Sequence, residues 1–300
     1  MGRGGGGHDG PDGLVVVDKP AGWTSHDVVA KSRGLLGTRK VGHAGTLDPD
    51  ATGVLLLGVG RATKLLRYLS PLGKAYVGEV VLGVETSTLD AAGEVTATHD
   101  MAGTTLDDVR RAATAFVGDI EQIPPMVSAV KVGGKRLHEL ARQGIEVERQ
   151  PRPVTVHALE VLPGPDGEPL VVTIAVSCSS GTYVRTLAAD LGAALGGGAH
   201  LRNLRRTSVG PYTLADAVAL EEVSPEVVRP MVEAVRHLGR TVVGAEVAAD
   251  VAVGKVLERR TLGVGDGDGP WAVVAEDGNL LAVYEPFRGD TVKPSLVIPT

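Results

Sequence analysis

From Val41 to Gly53 the chain reads Val-Gly-His-Ala-Gly-Thr-Leu-Asp-Pro-Asp-Ala-Thr-Gly, so that one histidine, two aspartates, two threonines and three of its glycines fall within a single short stretch. A carboxylate is ionised at pH 7 without help from a base, which makes an aspartate here a ready nucleophile. Gly and Pro forgo packing and Asp resists burial without a partner, so the stretch is poor core material. It runs straight into the apolar Val54-Leu55-Leu56-Leu57. An acidic side chain is thereby set on a stiff turn beside a buried strand, where binding and catalytic groups are commonly presented. The same residues also suit a plain surface turn, with Asp48 or Asp50 accepting from nearby amides and Pro49 fixing φ.

Three other segments weigh on that choice. Val15-Val16-Val17-Asp18-Lys19-Pro20-Ala21-Gly22-Trp23-Thr24-Ser25 lies upstream, Lys74-Ala75-Tyr76 follows, and Ser180-Gly181-Thr182-Tyr183-Val184-Arg185-Thr186 comes much later. In that order and spacing, the stretch from about Leu14 to about Leu220 resembles the bacterial tRNA pseudouridine-55 synthases, which isomerise a uridine in the T loop of transfer RNA. Turning an N-glycoside into a C-glycoside needs no redox step and no external energy, so the resemblance implies neither cofactor nor metal. It implies that Asp48 is the nucleophile, while Asp50 lies outside that motif position. Arg185 would grip the Asp48 carboxylate with its planar fork, although alone it reads as an ordinary surface ion-pair member. Tyr76 would stack on the target base and assist removal of the C5 proton, although alone it reads as core filling.

A base inside a folded T loop has to be swung out of its stack to be reached. The resemblance makes His43 the residue that packs into the space the base leaves, and Lys19 and Pro20 the support of the catalytic loop. Gly42 and Tyr183 share motifs with His43 and Arg185 and are carried over as RNA-contacting. Ile123 to Lys131, with Lys135, Arg136 and Arg142, resembles the family's RNA-contacting insertion; many relatives have tyrosine where this chain has Val127. Arg202, Arg205 and Arg206 form a basic edge suited to phosphates. The implied partner is the T stem-loop of transfer RNA, with no membrane and no protein partner.

The formal net charge of −6 argues at first against a nucleic-acid partner. The charge is segregated, however. Leu14 to Tyr76 holds nine basic against four acidic residues and Glu121 to Leu214 ten against eight, whereas Ala215 to Thr300 holds eight against fourteen. Hydrophobic residues at 43% and charged ones at 22% describe an ordinary globular chain, and its 3% aromatics force the core onto Val, Leu and Ala. The single cysteine, Cys178, precludes an internal disulfide and a cysteine-rich zinc site, and its strand context reads as a packed thiol. Lacking a long apolar run and a signal-peptide pattern, the chain is expected in the cytoplasm.

Other functional classes fit less well. Gly58-Val59-Gly60-Arg61-Ala62-Thr63-Lys64 hints at a nucleotide-binding loop, but Thr63 stands where a third glycine is needed and no Gly-Lys-Ser/Thr follows. A metal hydrolase would need ligands beyond His43 and Asp48. An RNA-binding module without catalysis would keep the basic loops but has no use for an Asp48–Arg185 pair.

Hydrophobic periodicity predicts strands at Leu14–Val17, Gly53–Val59, Ala75–Val84, Val127–Val132, Val154–Leu162 and Leu170–Cys178, the last two joined by the turn Pro163–Gly167. It predicts helices from Thr24 or Ser25 to about Leu36, over Ala62–Leu69, after the Thr105/Asp108 capping box, from Lys135 onward, and over Thr182–Leu195. Together these give an α+β fold with a mixed, largely antiparallel sheet flanked by helices. The expected domains are a disordered Gly-rich tail (1–13), a catalytic domain (14–220), a connector (221–240) and a small β-rich, PUA-like RNA-binding domain (241–300).

Overall fold

The structure, a computed structural model, describes residues 10–126, 131–132, 135–136 and 147–299. β1 (Gly13–Lys19) is a β-branched run that is buried along almost its whole length. Thr24 caps α1 (Ser25–Leu35) through the reciprocal box its spacing to Asp27 predicts: its hydroxyl accepts from the Asp27 amide while the Asp27 carboxylate accepts from the Thr24 amide. β2 (Val41–Ala44) pairs antiparallel with β3 (Thr52–Val59), placing Ala44 opposite Leu56, so residues 45–51 form the tip of a hairpin. A 3-10 turn over Gly60–Leu65 runs into the short α2 (Leu66–Leu69).

β4 (Lys74–Leu82) buries every second residue, as a strand with one covered face should. β5 (Val84–Thr86) and β6 (Val95–Thr98) make a small hairpin, and α3 (Leu106–Ala113) carries the predicted Thr105/Asp108 box. β7 (Gly118–Gln122) follows. Beyond it, Lys135 does not open a helix as expected. β8 (Lys131–Val132) pairs antiparallel with β9 (Lys135–Arg136), because two residues between Val132 and Lys135 is the spacing of a tight hairpin. The remainder of that expected helix, Arg142 included, and Val127 lie outside the described residues. β10 (Arg152–Pro163) and β11 (Val171–Cys178) pair as predicted around the Pro163–Gly167 turn. α4 (Val184–Ala194) and β12 (Ala199–Val209) come next, then β13 (Tyr212–Thr213), β14 (Val218–Ala219) and a series of 3-10 turns to Val235. The chain closes with β15 (Gly239–Val243), α5 (Ala245–Ala252), β16 (Leu257–Glu258), α6 (Arg259–Leu262), β17 (Trp271–Ala275), β18 (Leu280–Pro286) and β19 (Thr291–Val297).

These elements gather into two compact units, one of Met1–Asp48, Val54–Ser70 and Gly210–Thr300, the other of Pro49–Gly53 and Pro71–Val209. The second unit is an antiparallel sheet in the order β12-β4-β11-β10-β7, with α4 against β12 and α3 against β10. Thr52 and Gly53 join it by pairing parallel with Arg205 and Arg206. A Cβ on Gly53 would lie 2.1 Å from the Arg206 carbonyl oxygen, and its φ is +101°, so only glycine fits there.

In the first unit Val15, Val17, Val28, Val29, Leu55 and Leu57 pack a core that also takes in Leu220 and Val223. The segment expected to connect domains is therefore itself packed: Leu14 and Arg229 exchange backbone hydrogen bonds of 2.9 and 2.8 Å. The Gly-rich tail stops short of position 13 as well, since Gly13 belongs to β1 and Asp12 accepts from the Arg61 amide and from its guanidinium at 2.6 Å. Residues 1–9 lie outside the description. The C-terminal sheet, β15-β17-β18-β19-β16, encloses its own core of Val251, Leu262, Trp271, Val273, Tyr284 and Val292. Tyr68 bonds the Ser295 hydroxyl at 2.7 Å, Arg67 donates to the Ser295 carbonyl, and Arg61 donates to that of Pro299. The architecture is thus the expected one, a large, mostly antiparallel mixed sheet with flanking helices and a β-rich C-terminal domain.

Asp216 fastens the turn-rich stretch between these parts. It accepts from Arg236 at 2.6 and 3.1 Å and from Arg229 at 2.8 Å, and Arg236 also lies 4.3 Å over the Tyr212 ring. The Arg236 guanidinium, then the Thr213 amide and Arg229, hold the Asp216 carboxyl far below the usual carboxylate range. Asp216→Asn should cost about 2 kcal/mol at pH 7. Because the folded value is depressed, this contribution is complete above the unfolded carboxylate pKa of about 3.9 and fades as pH falls below it. Urea unfolding should therefore show a wide gap between wild type and variant at pH 7 and a narrower one at pH 3.

Candidate active site

The loop that carries Asp48 grows out of buried scaffolding in the first unit. Lys19, at the end of β1, is fully buried and donates through Nζ to the carbonyls of Pro20 (2.9 Å) and Trp23 (2.5 Å). It thus fixes the turn that delivers Thr24 and α1, and it holds the chain rather than offering charge to a phosphate. Pro20 is half-buried in that turn. Ser25, also fully buried, accepts from the Leu47 amide at 2.9 Å and donates to the Leu47 carbonyl at 3.3 Å. Asp48 follows, half-buried, while Asp50 is exposed. His43, on β2, is half-buried with its ring edge-on to His26 at 5.3 Å. A Cβ on Gly42 would lie 2.9 Å from the Leu66 side chain, so this glycine makes room for α2.

The second unit carries the other expected catalytic groups. Tyr76 lies on β4 opposite Val176 and Arg206, and only 8% of it is exposed. Arg206 is fully buried; burial pushes its pKa down, while the charge of Tyr76 and a hydrogen bond to that phenol oppose the shift. Lys74, two residues before Tyr76 and so on the same face of β4, donates to the Leu72 carbonyl (2.7 Å) and to Ser180 Oγ (3.1 Å). Burial, aided by the Arg206 charge, lowers its pKa to about 8.

Arg185 sits in the first turn of α4 and is 5% exposed. Its guanidinium donates to Asp90 Oδ2 at 3.0 Å and to the Thr88 carbonyl at 3.1 Å. Asp90 is itself held, by the Thr88 hydroxyl at 2.5 Å and the Ala92 amide at 3.2 Å on Oδ1. Tyr183, just before the helix, exchanges backbone bonds with the Gln122 side chain at 2.9 and 3.3 Å. Asp90 is the functional candidate that sequence reading passes over. It lies in an unremarkable Ser-Thr-Leu-Asp stretch, far in sequence from Arg185, and only the Thr88–Asp90 spacing hints at a local turn.

The expected basic edge on β12 is corrected. Arg206 is interior, because the pairing of β12 with β4 turns it toward Tyr76. Arg202 is committed to Glu79 (2.6 Å) and Glu168 (2.7 Å), whose hydrogen bonds raise its pKa, and Arg205 donates to Thr52 Oγ1 at 3.2 Å. Lys131, Lys135 and Arg136 lie on the β8–β9 hairpin. Among the described residues no three His, Cys, Asp or Glu side chains are grouped to hold a metal ion, and no helix is long and apolar enough to cross a membrane.

Known proteins resemble this chain in sequence and in fold. Residues 33–184 match the N-terminal domain of the TruB family of pseudouridylate synthases, and residues 185–249 match the C-terminal domain of tRNA pseudouridylate synthase B. A tRNA pseudouridine synthase B from Arthrobacter sp. (strain FB24) is 48% identical over 95% of this chain and 96% of its own length. One from Rhodococcus jostii (strain RHA1) is 56% identical over 71% of each chain. Among solved structures, a Cbf5-Nop10-Gar1 complex superposes with a TM-score of 0.73 at 28% identity, over 96% of this chain and 85% of the matched one. The fold and these motifs are those of a pseudouridine-forming isomerase. The chain belongs to the TruB family of pseudouridylate synthases.

Arg185 is anchored by Asp90, so Asp90→Asn should leave the guanidinium half-held and misaimed. Single-turnover pseudouridine formation should fall by about 10²-fold, the cost of roughly 1 Å of misplacement near reacting atoms. Circular dichroism melting of the variant checks that the fold survives.

Proposed function

We propose that this enzyme converts uridine 55 in the T loop of transfer RNA to pseudouridine, with Asp48 as the nucleophile. The observation that carries the reading is the Gly45-Thr46-Leu47-Asp48-Pro49 loop, tethered at Leu47 and presented by a chain of this family. The names of its relatives, tRNA pseudouridine synthase B, supply the substrate class.

The target base swings out of the T loop, and His43 packs into the space it vacates. Asp48 attacks the bound nucleotide and the N-glycosidic bond breaks. Uracil turns and rejoins ribose C1′ through C5, the bond to Asp48 breaks so that its carboxylate is regenerated, the C5 proton departs and N1 takes up a proton. Arg185, held by Asp90, keeps the Asp48 carboxylate charged and aimed, since a bidentate guanidinium favours the ionised form. Tyr76 stacks on the base and takes part in removing the C5 proton. Arg206 donates to the phenol oxygen, and an arginine has no acceptor, so the phenol's own hydrogen points away from it. The β8–β9 hairpin, with Lys131, Lys135 and Arg136, supplies phosphate contacts.

Mapping pseudouridine in transfer RNA after incubation with the purified protein tests the reading directly; a product at another position, or none, rejects it. Asp48→Asn keeps the shape of the side chain but not its charge. It should reduce the single-turnover rate by about 10⁴-fold while leaving RNA affinity within a few fold.

The C-terminal domain contributes modestly to binding. Its cations are largely paired: Lys255 with Asp250 at 2.8 Å, Arg260 with Glu258 at 2.5 Å, Lys293 with Glu285 at 3.3 Å, while Arg259 donates to the Gly265 and Gly267 carbonyls. Reversing both Arg260 and Lys293 to Glu should weaken binding of whole transfer RNA by about threefold and leave an isolated T stem-loop unaffected, because a cation already shared with a carboxylate displaces few counterions from the RNA.

A further inference from the structure

The catalytic loop, residues 45–51, is the tip of the β2–β3 hairpin. Thr46, Pro49 and Asp50 are exposed or half-exposed, Gly45 and Asp48 are half-exposed, and only Leu47 and Ala51 are buried. How Leu47 is held bears directly on the position of Asp48, the next residue. We propose that Ser25 is a positioning residue for Asp48, acting by a two-way clamp on the Leu47 backbone. This inference rests on the reading of Asp48 as nucleophile.

One hydroxyl does both parts. Ser25 Oγ accepts the Leu47 amide at 2.9 Å and donates to the Leu47 carbonyl at 3.3 Å, in a site with no exposure at Ser25 and 4% at Leu47. That carbonyl belongs to the peptide joining Leu47 to Asp48. Because the peptide is planar, holding its oxygen restrains the plane that also carries the Asp48 nitrogen and Cα.

The clamp stands on firm ground. Ser25 is the first residue of α1, whose entry is stiffened by the Thr24–Asp27 box and by the hold of Lys19 on Pro20 and Trp23. A relay of hydrogen bonds therefore runs from β1 through Lys19, the helix start and Ser25 to the residue before the nucleophile. It gives the two motifs, twenty-two residues apart at Ser25 and Leu47, a shared physical purpose. The side chain is close to dictated: alanine would orphan a buried amide and a buried carbonyl, threonine would add a methyl where no space is exposed, and a thiol bonds weakly in both directions.

The test uses full-length protein and unmodified transfer RNA. Ser25→Ala is compared with Ser25→Cys, which keeps the approximate shape should alanine fail to fold. Thr105→Ala serves as control, since it removes an equivalent helix cap, that of α3, without touching α1 or Leu47. Hydrogen exchange at the Leu47 amide should speed up by about tenfold or more in both Ser25 variants and stay unchanged in Thr105→Ala, because local opening governs exchange. At saturating RNA the single-turnover rate should fall by about tenfold or more in the Ser25 variants, with Kd within about threefold, as expected for loss of aim rather than of binding. Unchanged exchange at Leu47 overturns the clamp. A rate within about threefold of wild type, or an equal loss in Thr105→Ala, overturns the positioning role. Wild-type protein that makes no pseudouridine in the same assay rejects the functional reading instead, and the exchange result still decides whether Ser25 holds Leu47.

Discussion

Four cations are withdrawn from water among the described residues, Lys19, Lys74, Arg185 and Arg206, and the arrangement of the site follows from how each is compensated. An uncompensated buried charge costs several kcal/mol, so every one of them must be surrounded by acceptors in fixed places. Lys19 draws in two carbonyls of the turn after β1, and Lys74 a carbonyl and the Ser180 hydroxyl. Arg185 draws in Asp90 and the Thr88 carbonyl, and Arg206 the Tyr76 phenol. Lys19, Lys74 and Arg185 thereby give loop segments a defined path, while Arg206 ties β12 to β4. Buried charge serves here as internal scaffolding for loops, a task that a chain with so few aromatic side chains cannot hand to large apolar ones.

What could be read from the sequence was what is decided locally. The boxes at Thr24–Asp27 and Thr105–Asp108 formed because their partners are three residues apart, and the Pro163–Gly167 turn set the β10–β11 register through its own geometry. Asp48, Tyr76 and Arg185 stood out because their motifs are contiguous. Arg206 was misplaced for the opposite reason. Whether a strand residue faces solvent depends on the register with β4, and irregularities in β12 between Arg202 and Arg205, and again between Arg206 and Ser208, shift that register. No pattern of alternation predicts which arginine of a consecutive pair turns inward. Asp90 escaped notice because its partner is ninety-five positions away. Lys135 was assigned to a helix by its apolar spacing, which a two-residue hairpin overrode.

The segregation of charge also acquires a structural sense. Arginines that look available on a linear count are spent inside the fold, on Glu79 and Glu168 at Arg202 and on Asp216 at Arg229 and Arg236. Counting basic residues overstates the positive surface, because a paired arginine releases no counterion when RNA arrives.

Arg61 has a long reach within the first unit. Its backbone and guanidinium take Asp12, just ahead of β1, and the same guanidinium reaches the Pro299 carbonyl, 238 positions later. The chain is thus cinched into a ring by one residue that is itself part-exposed, a non-covalent counterpart of a cross-link between distant segments. Closing so long a loop costs little more entropy than closing one half its length, so a modest clasp suffices. Fraying at either segment frees the arginine that secures the other, and the two are therefore set to loosen together, as one cooperative edge of the molecule.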